Sequence, residues 1–142
     1  MNLEHCTNFI CRWEGFRDHI YSDSVGIPTF GYGSLHRNYP NELFPISKAR
    51  ARQILMLDVQ NIYYPAVKRF IKVVLTDNQE TALTSFVYNL GGGALQRSTL
   101  RKVVNRGDNP QKEFLKWCKA GGIIIKGLLL RRQAEAELFI GG

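Results

Sequence analysis

One stretch, residues 16–34, interrupts an otherwise helical sequence. Of all the sequence features, it limits the possible folds of this chain the most. Before it, residues 2–13 place their apolar side chains on one side of a short helix that ends near Gly15. Within it, aromatic and β-branched residues alternate with Ser, Asp, Gly and Pro, which is typical of a β-hairpin. The sequence therefore predicts an α+β, mostly helical fold with two lobes, a small N-terminal β-hairpin lobe and a larger helical lobe.

Local signals predict where several helices begin and end. Ser47 is the predicted N-cap of a long helix, which Pro65 should kink or divide. Thr76 and Gln79 have the spacing of a capping box at the start of the next helix, and Gly91 is expected to stop it.

The last third of the sequence also reads as helical. Asn109 and Pro110 are the predicted N-cap and first residue of a helix that runs through Trp117. The pair Gly121–Gly122 is expected to break it, and a last helix is predicted for LLLRRQAEAELF.

With 142 residues, the chain is predicted to form a single domain, 1–142. We expect the β-containing lobe at about 14–46 and the helical lobe at about 47–142, together with the N-terminal helix. The formal net charge of +7, from 19 Lys and Arg against 12 Asp and Glu, favours binding to polyanions. Nucleic acid and the anionic bacterial wall both fit this charge, which does not choose between them.

The cysteines and the N-terminal residues predict a reduced chain that is made in a cytoplasm. Cys6, Cys11 and Cys118 cannot all pair within one chain, and none has the spacing of a zinc site, so no metal or cofactor is predicted. The first residues lack the apolar h-region of a signal peptide. The apolar run at 123–130 is too short to span a bilayer, so no stable membrane insertion is expected.

Two carboxylates and a hydroxyl lie around the predicted hairpin: Asp23 follows Glu14 by nine positions, and Thr29 follows Asp23 by six. Cleavage of a glycosidic bond requires one acid that protonates the leaving oxygen and a second carboxylate that acts as base or nucleophile. Glu14, beside Trp13 and Phe16, has the apolar surroundings that suit a proton donor, whereas the polar turn around Asp23 suits an ionised partner. Thr29 could hold a water beside Asp23, because a hydroxyl both donates and accepts hydrogen bonds.

The same residues also have ordinary structural explanations. A single Glu at a helix end is usually a surface residue, and Asp in a hairpin usually forms the turn. Gly31 and Gly33 could mark a bend or bulge in a strand. Alternatively, these glycines let a sugar approach the backbone, with Tyr32 as an apolar wall. The spacing alone therefore permits a glycosidase without requiring one.

Longer motifs resemble those of the phage-type lysozymes, glycoside hydrolase family 24. In that family a helix ends in Glu-Gly, and the catalytic Glu, Asp and Thr are spaced as Glu14, Asp23 and Thr29 are here. The chain also contains the family's T-x-GYG segment and two longer similar stretches, ALTSFVYNLGGGALQRSTL and WCKAGGIIIKGLLLRRQAEAELF. The resemblance covers nearly the whole chain. It departs at Ser34, where close relatives have His, and His36 follows two residues later.

This resemblance implies a peptidoglycan muramidase with its active site in a cleft between the lobes. The bond cleaved would be the β-1,4 bond between N-acetylmuramic acid and N-acetylglucosamine. Glu14 would be the general acid, while Asp23 and Thr29 position or activate the attacking water, which implies an inverting mechanism.

Four further residues are predicted to bind substrate: Gly31, Tyr32, Asn89 and Arg132. Asn89 could instead cap its helix. For Arg131 and Arg132, the resemblance suggests that one turns toward the cleft, and the alternative is a pair of exposed helix cations.

Three classes of function remain open at this point. The leading one is a phage or prophage endolysin that hydrolyses peptidoglycan, and the second is a non-catalytic, peptidoglycan-binding module with a lysozyme-like fold. The third, a nucleic-acid binder, is disfavoured because the basic residues are scattered and no base-reading motif is present. An endolysin of this kind is expected to be a monomer in the host cytoplasm. It would reach the periplasmic wall after a separate pore-forming protein, a holin, permeabilises the membrane.

Overall fold

A computed structural model describes every residue from Met1 to Gly142. It contains eight α-helices and five short strands. The helices in chain order are α1 (Leu3–Trp13), α2 (Lys48–Asp58), α3 (Tyr64–Phe70), α4 (Asp77–Leu90), α5 (Gly92–Arg97), α6 (Thr99–Asn105), α7 (Gln111–Leu115) and α8 (Lys126–Gly141). The strands are β1 (Arg17–Ser22), β2 (Pro28–Gly31), β3 (Ser34–Leu35), β4 (Lys119–Ala120) and β5 (Ile123–Ile124).

The predicted hairpin is the first part of a three-stranded antiparallel sheet with the order β1–β2–β3. Tyr21 on β1 pairs with Thr29 on β2, and the register shifts between Arg17 and Tyr21, which is typical of a bulge. Thr29 also pairs with Leu35 on β3, so it lies on the central strand. The helices around this small sheet confirm the α+β, mostly helical fold class.

Capping interactions confirm the helix ends that local signals predict. The Ser47 side chain accepts a hydrogen bond from the N–H of Arg50 at the start of α2. Thr76 and Gln79 form a reciprocal capping box at the start of α4. Gly91 ends α4 with a φ of +92°, a backbone conformation that L side chains rarely adopt.

The long helix predicted after Ser47 is divided by a π-helical turn, Val59–Tyr63, that lies between α2 and α3. Pro65 lies in the first turn of α3. Because proline has no N–H and its ring clashes with the carbonyl four residues earlier, regular α-helical hydrogen bonding cannot continue through it. The wider π turn accommodates this break and places Tyr63 at its end.

Buried apolar residues form one large cluster and two small ones. The large cluster, here called the α4 core, contains fourteen buried residues: Ala66, Val67, Ile71, Ala82, Leu83, Phe86, Val87, Ala94, Leu95, Leu100, Val104, Phe114, Ala136 and Phe139. The sheet core contains Phe30, Ile46, Ala51 and Ile54. The seam core, between α1 and α2, contains Cys6, Ile10, Leu55 and Val59.

Two predictions for the C-terminal part of the chain are wrong. The helix predicted from Pro110 to Trp117 is shorter, because Pro110 itself is not helical and the Asn109 side chain accepts the N–H of Gln111 at 2.9 Å. The Gly121–Gly122 pair does not end this helix, which already stops at Leu115. It forms the turn between β4 and β5, which pair as a small hairpin.

No helix in the structure combines the length and the apolar character that crossing a bilayer requires. All three cysteines are free: Cys6 and Cys118 are buried, and Cys11 is half-buried.

Candidate active site

Glu14 directly follows α1 and joins the end of this helix to two other parts of the fold. Its backbone N–H donates to the carbonyl of Ile10 at 3.1 Å. Its Oε2 accepts a hydrogen bond from Nη1 of Arg131 on α8 at 2.5 Å, and the Glu14 side chain is 21% exposed. The other oxygen, Oε1, lies against Gly33, where an added Cβ would be only 3.2 Å from it. Glu14 is therefore restrained on one oxygen and reachable on the other.

Asp23 forms the turn between β1 and β2 with one of its two oxygens. Its Oδ1 accepts hydrogen bonds from the N–H groups of Val25 at 2.9 Å and Ile27 at 2.8 Å. Because Oδ1 accepts both hydrogen bonds of the turn, Oδ2 is free to bind a molecule in the cleft.

Thr29 directs its hydroxyl hydrogen into the sheet. The Oγ1 atom donates to the carbonyl of Tyr21 across the β1–β2 pair at 3.3 Å, and the residue is almost fully buried. The lone pairs of that oxygen can then accept a hydrogen bond from a water molecule.

One cleft, with a volume of about 340 Å³, brings these three side chains together. Its walls come from the end of α1, the sheet, the π-helical turn and α4. The lining residues are Glu14, Tyr21, Asp23, Ser24, Thr29, Gly33, Leu35, Tyr63, Tyr88 and Asn89.

The arginine that holds Glu14 is itself held in the protein interior. Ser85 receives a hydrogen bond from Nε of Arg131 on its Oγ at 3.3 Å and another from Nη2 on its carbonyl at 3.2 Å. Glu135, fully buried, accepts from Ser85 Oγ at 2.5 Å and from Nη2 of Arg132 at 2.9 Å, and its Oε2 lies 3.4 Å from Nε of Arg131. Burial raises the pKa of Glu135, and the two arginines oppose this rise. Arg131 is thus shared between Glu135 and Glu14.

Three of the four predicted substrate-binding residues need correction. Arg132 is fully buried and pairs with Glu135, so it is Arg131 that reaches the cleft side. Gly31 is buried against α2, where an added Cβ would be 3.0 Å from that of Ala51, and Gly33 lies in the cleft wall instead. Tyr32 packs its ring against Phe16 and does not line the cleft.

Asn89 is the fourth of these residues, and it lines the cleft. Its Oδ1 is buried without a hydrogen-bond partner in the chain. The end of α4 is closed instead by the N–H of Gly91, which donates to the carbonyl of Val87 at 2.7 Å. The side chain of Asn89 therefore does not cap the helix.

Two tyrosines in the cleft wall were not identified from the sequence. Tyr88 donates its hydroxyl to the carbonyl of Tyr32 at 2.6 Å, and burial, followed by the charge of Glu14, raises its pKa well above the ordinary value. Tyr63 packs edge-on against Tyr88, and burial raises its pKa to about 12. Both phenols are neutral at physiological pH. The sequence contained one indication of Tyr88: it is adjacent to Asn89, a predicted substrate-binding residue, and both lie outside the buried apolar stripe of α4.

No group of three or more His, Cys, Asp or Glu side chains is arranged to hold a metal ion.

Known proteins are similar to this chain in both sequence and fold. The endolysin of Bacillus phage B103 is 40% identical over 150 residues, which cover all of this chain but 55% of the phage protein. The endolysin of Acyrthosiphon pisum secondary endosymbiont phage 1 is 38% identical over 136 residues, 92% of this chain and 91% of that protein. The chain thus spans about half the length of the first of these relatives and nearly all of the second.

Two solved structures superpose closely on this one. The endolysin from Escherichia coli O157:H7 phage FAHEc1 has a TM-score of 0.82 at 32% identity, covering 99% of this chain and 94% of the other. The muramidase domain of SpmX from Asticaccaulis excentricus has a TM-score of 0.85 at 26% identity, covering 96% and 95%. The family described as Phage lysozyme matches residues 11–135, a range that contains Glu14, Asp23, Thr29 and Arg131. By sequence and by fold, this chain belongs to the phage lysozyme family.

Proposed function

We propose that this protein is a phage or prophage endolysin that acts as a peptidoglycan muramidase. The bond cleaved is the β-1,4 bond between N-acetylmuramic acid and N-acetylglucosamine. The observation that carries the proposal is that Glu14, Asp23 and Thr29, three separated residues, line the same cleft. The net charge of +7 supports attraction to a wall polymer that carries many carboxylates.

Glu14 is the proposed general acid. Its Oε2 is occupied by Arg131, so Oε1, beside Gly33, is the oxygen that carries the proton to the leaving sugar. Arg131 pairs with Glu14 on one side and lies 3.4 Å from Glu135 on the other, so its positive charge is shared between the two carboxylates. Once the proton has left, Arg131 stabilises the carboxylate that remains.

Asp23 and Thr29 are proposed to hold the attacking water. The water donates one hydrogen bond to Asp23 Oδ2 and the other to Thr29 Oγ1. During the attack, the proton that lies between the water and Oδ2 is transferred to Asp23. A water held between enzyme and sugar attacks the face opposite the leaving group, so the configuration at the anomeric carbon is inverted. Proton NMR of fresh hydrolysate is then expected to show the α-anomer first. Early β-product would contradict the role of this water and indicate a covalent intermediate.

The deciding experiment compares the wild type with Glu14→Gln on purified peptidoglycan. The amide keeps the shape of the side chain and cannot deliver a proton, so we expect turbidity loss to slow by about 10²–10⁴-fold while the chain still folds, as checked by circular dichroism. Glu137→Gln, an exposed position on α8, is the matched control and should clear the suspension at the wild-type rate. Near-wild-type lysis by Glu14→Gln would overturn the assignment. A wild type that sediments with the wall but never clears it would identify a non-catalytic binding module.

Location and release belong to the same proposal. We propose a monomer that accumulates in the host cytoplasm and reaches the wall after a holin opens the membrane. Expression in a Gram-negative host without a holin should leave the cells intact until chloroform permeabilises the inner membrane. Spontaneous lysis, with the protein found in the periplasm, would show a different export route.

A further inference from the structure

The β4–β5 hairpin carries a continuous exposed apolar surface that the cleft does not use. Residues 119–127 are all exposed, and among them Ile123, Ile124 and Ile125 are 69%, 58% and 41% exposed. Large exposed apolar side chains elsewhere, such as Leu43 and Val74, are not grouped in this way. Scattered apolar side chains are normal on a protein surface, whereas a contiguous group marks an interaction site.

The isoleucines lie on both faces of the hairpin. Ala120 pairs with Ile123 and Lys119 with Ile124, and successive side chains of a strand point to opposite faces, so Ile123 and Ile124 point in opposite directions. The turn residues Gly121 and Gly122 have nothing within 4 Å of an added Cβ. The hairpin therefore projects from the protein, and a flat protein partner would cover one face and leave the other in water.

In the sequence around the hairpin, every charged residue is positive. The sequence contains no Asp or Glu between Glu113 and Glu135. Lys119 and Lys126 flank the isoleucines, are exposed and make no ion pair. Lys126 is the first residue of α8, where the helix dipole disfavours a cation, so helix stability does not explain its position.

We propose that the β4–β5 hairpin docks this protein peripherally on an anionic phospholipid surface. A bilayer interface can surround both faces of a projecting hairpin, and its headgroups match the two lysines. The hairpin reaches about 10 Å from its base at about 3.3 Å per residue, close to the depth at which apolar groups lie in the interface. Aliphatic side chains suit lipid acyl chains, whereas sugar rings are recognised by polar groups and flat aromatic faces.

Vesicle sedimentation of the whole protein tests this proposal. Vesicles of phosphatidylglycerol and phosphatidylcholine in equal parts are expected to pellet the wild type, and vesicles of phosphatidylcholine alone are expected to pellet much less. The double variant Ile123→Ser with Ile124→Ser should bind the mixed vesicles at least about tenfold more weakly. Each of Lys119→Gln and Lys126→Gln should weaken binding about fivefold, and added salt should reproduce that loss.

Matched controls separate the hairpin from general stickiness and general charge. The double variant Leu43→Ser with Val74→Ser removes two exposed apolar side chains elsewhere, and Lys72→Gln with Lys102→Gln removes two exposed cations elsewhere. The apolar control should bind like the wild type, and the cation control should lose less than the hairpin lysines. Equal losses in control and hairpin variants would overturn the proposal. So would hairpin-dependent sedimentation with purified peptidoglycan but not with vesicles. Because vesicles contain no glycan, the vesicle results are independent of the muramidase assignment.

Discussion

The two sides of the cleft are built in contrasting ways. On the helical side, Glu14 is fixed through Arg131 to Ser85 and Glu135, a set of polar groups buried beside the α4 core. On the sheet side, Asp23 is fixed by N–H groups of its own turn, and the sheet core beneath contains four buried residues against fourteen in the α4 core. One half of the site is restrained by side chains distant in sequence, the other by backbone within four residues.

Mutations on the two sides should therefore differ in how much they affect stability relative to activity. Charges buried in the helical side are part of the folded core, so changing them affects the free energy of unfolding as well as the reaction. The turn that holds Asp23 lies at the surface, and its hydrogen bonds can be kept while its charge is removed.

Asp23→Asn should give the largest effect on activity with little effect on folding. The amide oxygen can still accept the two turn hydrogen bonds, but it cannot take a proton from water, so lysis should slow by about 10²–10⁴-fold. Asp23→Ala should lose the same activity and, in addition, about 1 kcal/mol of stability because the turn bonds are gone. Turbidity assays and thermal unfolding measure the two quantities. A large loss of stability in Asp23→Asn would show that turn and charge are not separable.

Glu135→Gln should show the opposite behaviour. It leaves Arg131 and Arg132 in the interior with one negative charge fewer, and removing one partner of a buried ion pair costs about 3–5 kcal/mol. The exposed Glu137→Gln on the same helix is the matched control, expected within about 0.5 kcal/mol of the wild type. Urea unfolding gives both values. Equal stability of the two variants would mean that the buried arginines do not depend on Glu135.

Alkaline pH should weaken the seam core, which joins the two sides. Burial raises the pKa of Cys6 from 9.0 to about 12. The unfolded chain therefore releases this proton first, and stability is lost from pH 9 upward until the folded thiol ionises near pH 12, by about 1.4 kcal/mol for each pH unit. Cys6→Ala should be less stable at neutral pH but should have a shallower slope in this window. An unchanged slope in urea titrations at several pH values would assign the alkaline loss to other groups.

Gly33→Ala should change activity less than Asp23→Asn does and stability less than Glu135→Gln does, at the point where the two sides meet. With a φ of +93°, an alanine there is strained by about 1 kcal/mol, and its Cβ would lie 3.2 Å from both Glu14 Oε1 and the Tyr88 hydroxyl. Gly107→Ala, with a φ of +78° and open space around the Cβ, shares the strain without the contact. Both variants should lose similar stability, but only Gly33→Ala should lose activity, by about tenfold. Equal activities would show that Glu14 can shift without consequence.

Features that depend on a few neighbouring residues were predictable from the sequence. The caps at Ser47 and Thr76, the stop at Gly91 and the hairpin all have their determinants within a few positions, and the structure confirms each one. The roles of Glu14, Asp23 and Thr29 stay predictions, although their common cleft is consistent with them.

Features that depend on packing between distant elements were not predictable. Arg131 and Arg132 differ by about 100° around α8, and which of them meets Glu14 depends on the face that α8 turns toward α4. Likewise, Gly31 lies against Ala51 and Gly33 lies in the cleft wall, because α2 packs on one side of the sheet only. The sequence pattern does not show which face of α8 meets α4 or which side of the sheet α2 covers.

The π-helical turn, Val59–Tyr63, also limits how this chain can change in length during evolution. Removing one residue from the regular α-helix on either side of this turn would rotate α3 by about 100° relative to α2, because each α-helical residue turns the helix by that angle. The buried residues of α2 belong to the sheet and seam cores, and those of α3 belong to the α4 core, so such a rotation would leave one set facing water. A deletion in α2 would also move Tyr63 out of the cleft wall. The surface loops can therefore change in length without moving these cores, whereas the segment from Lys48 to Phe70 cannot.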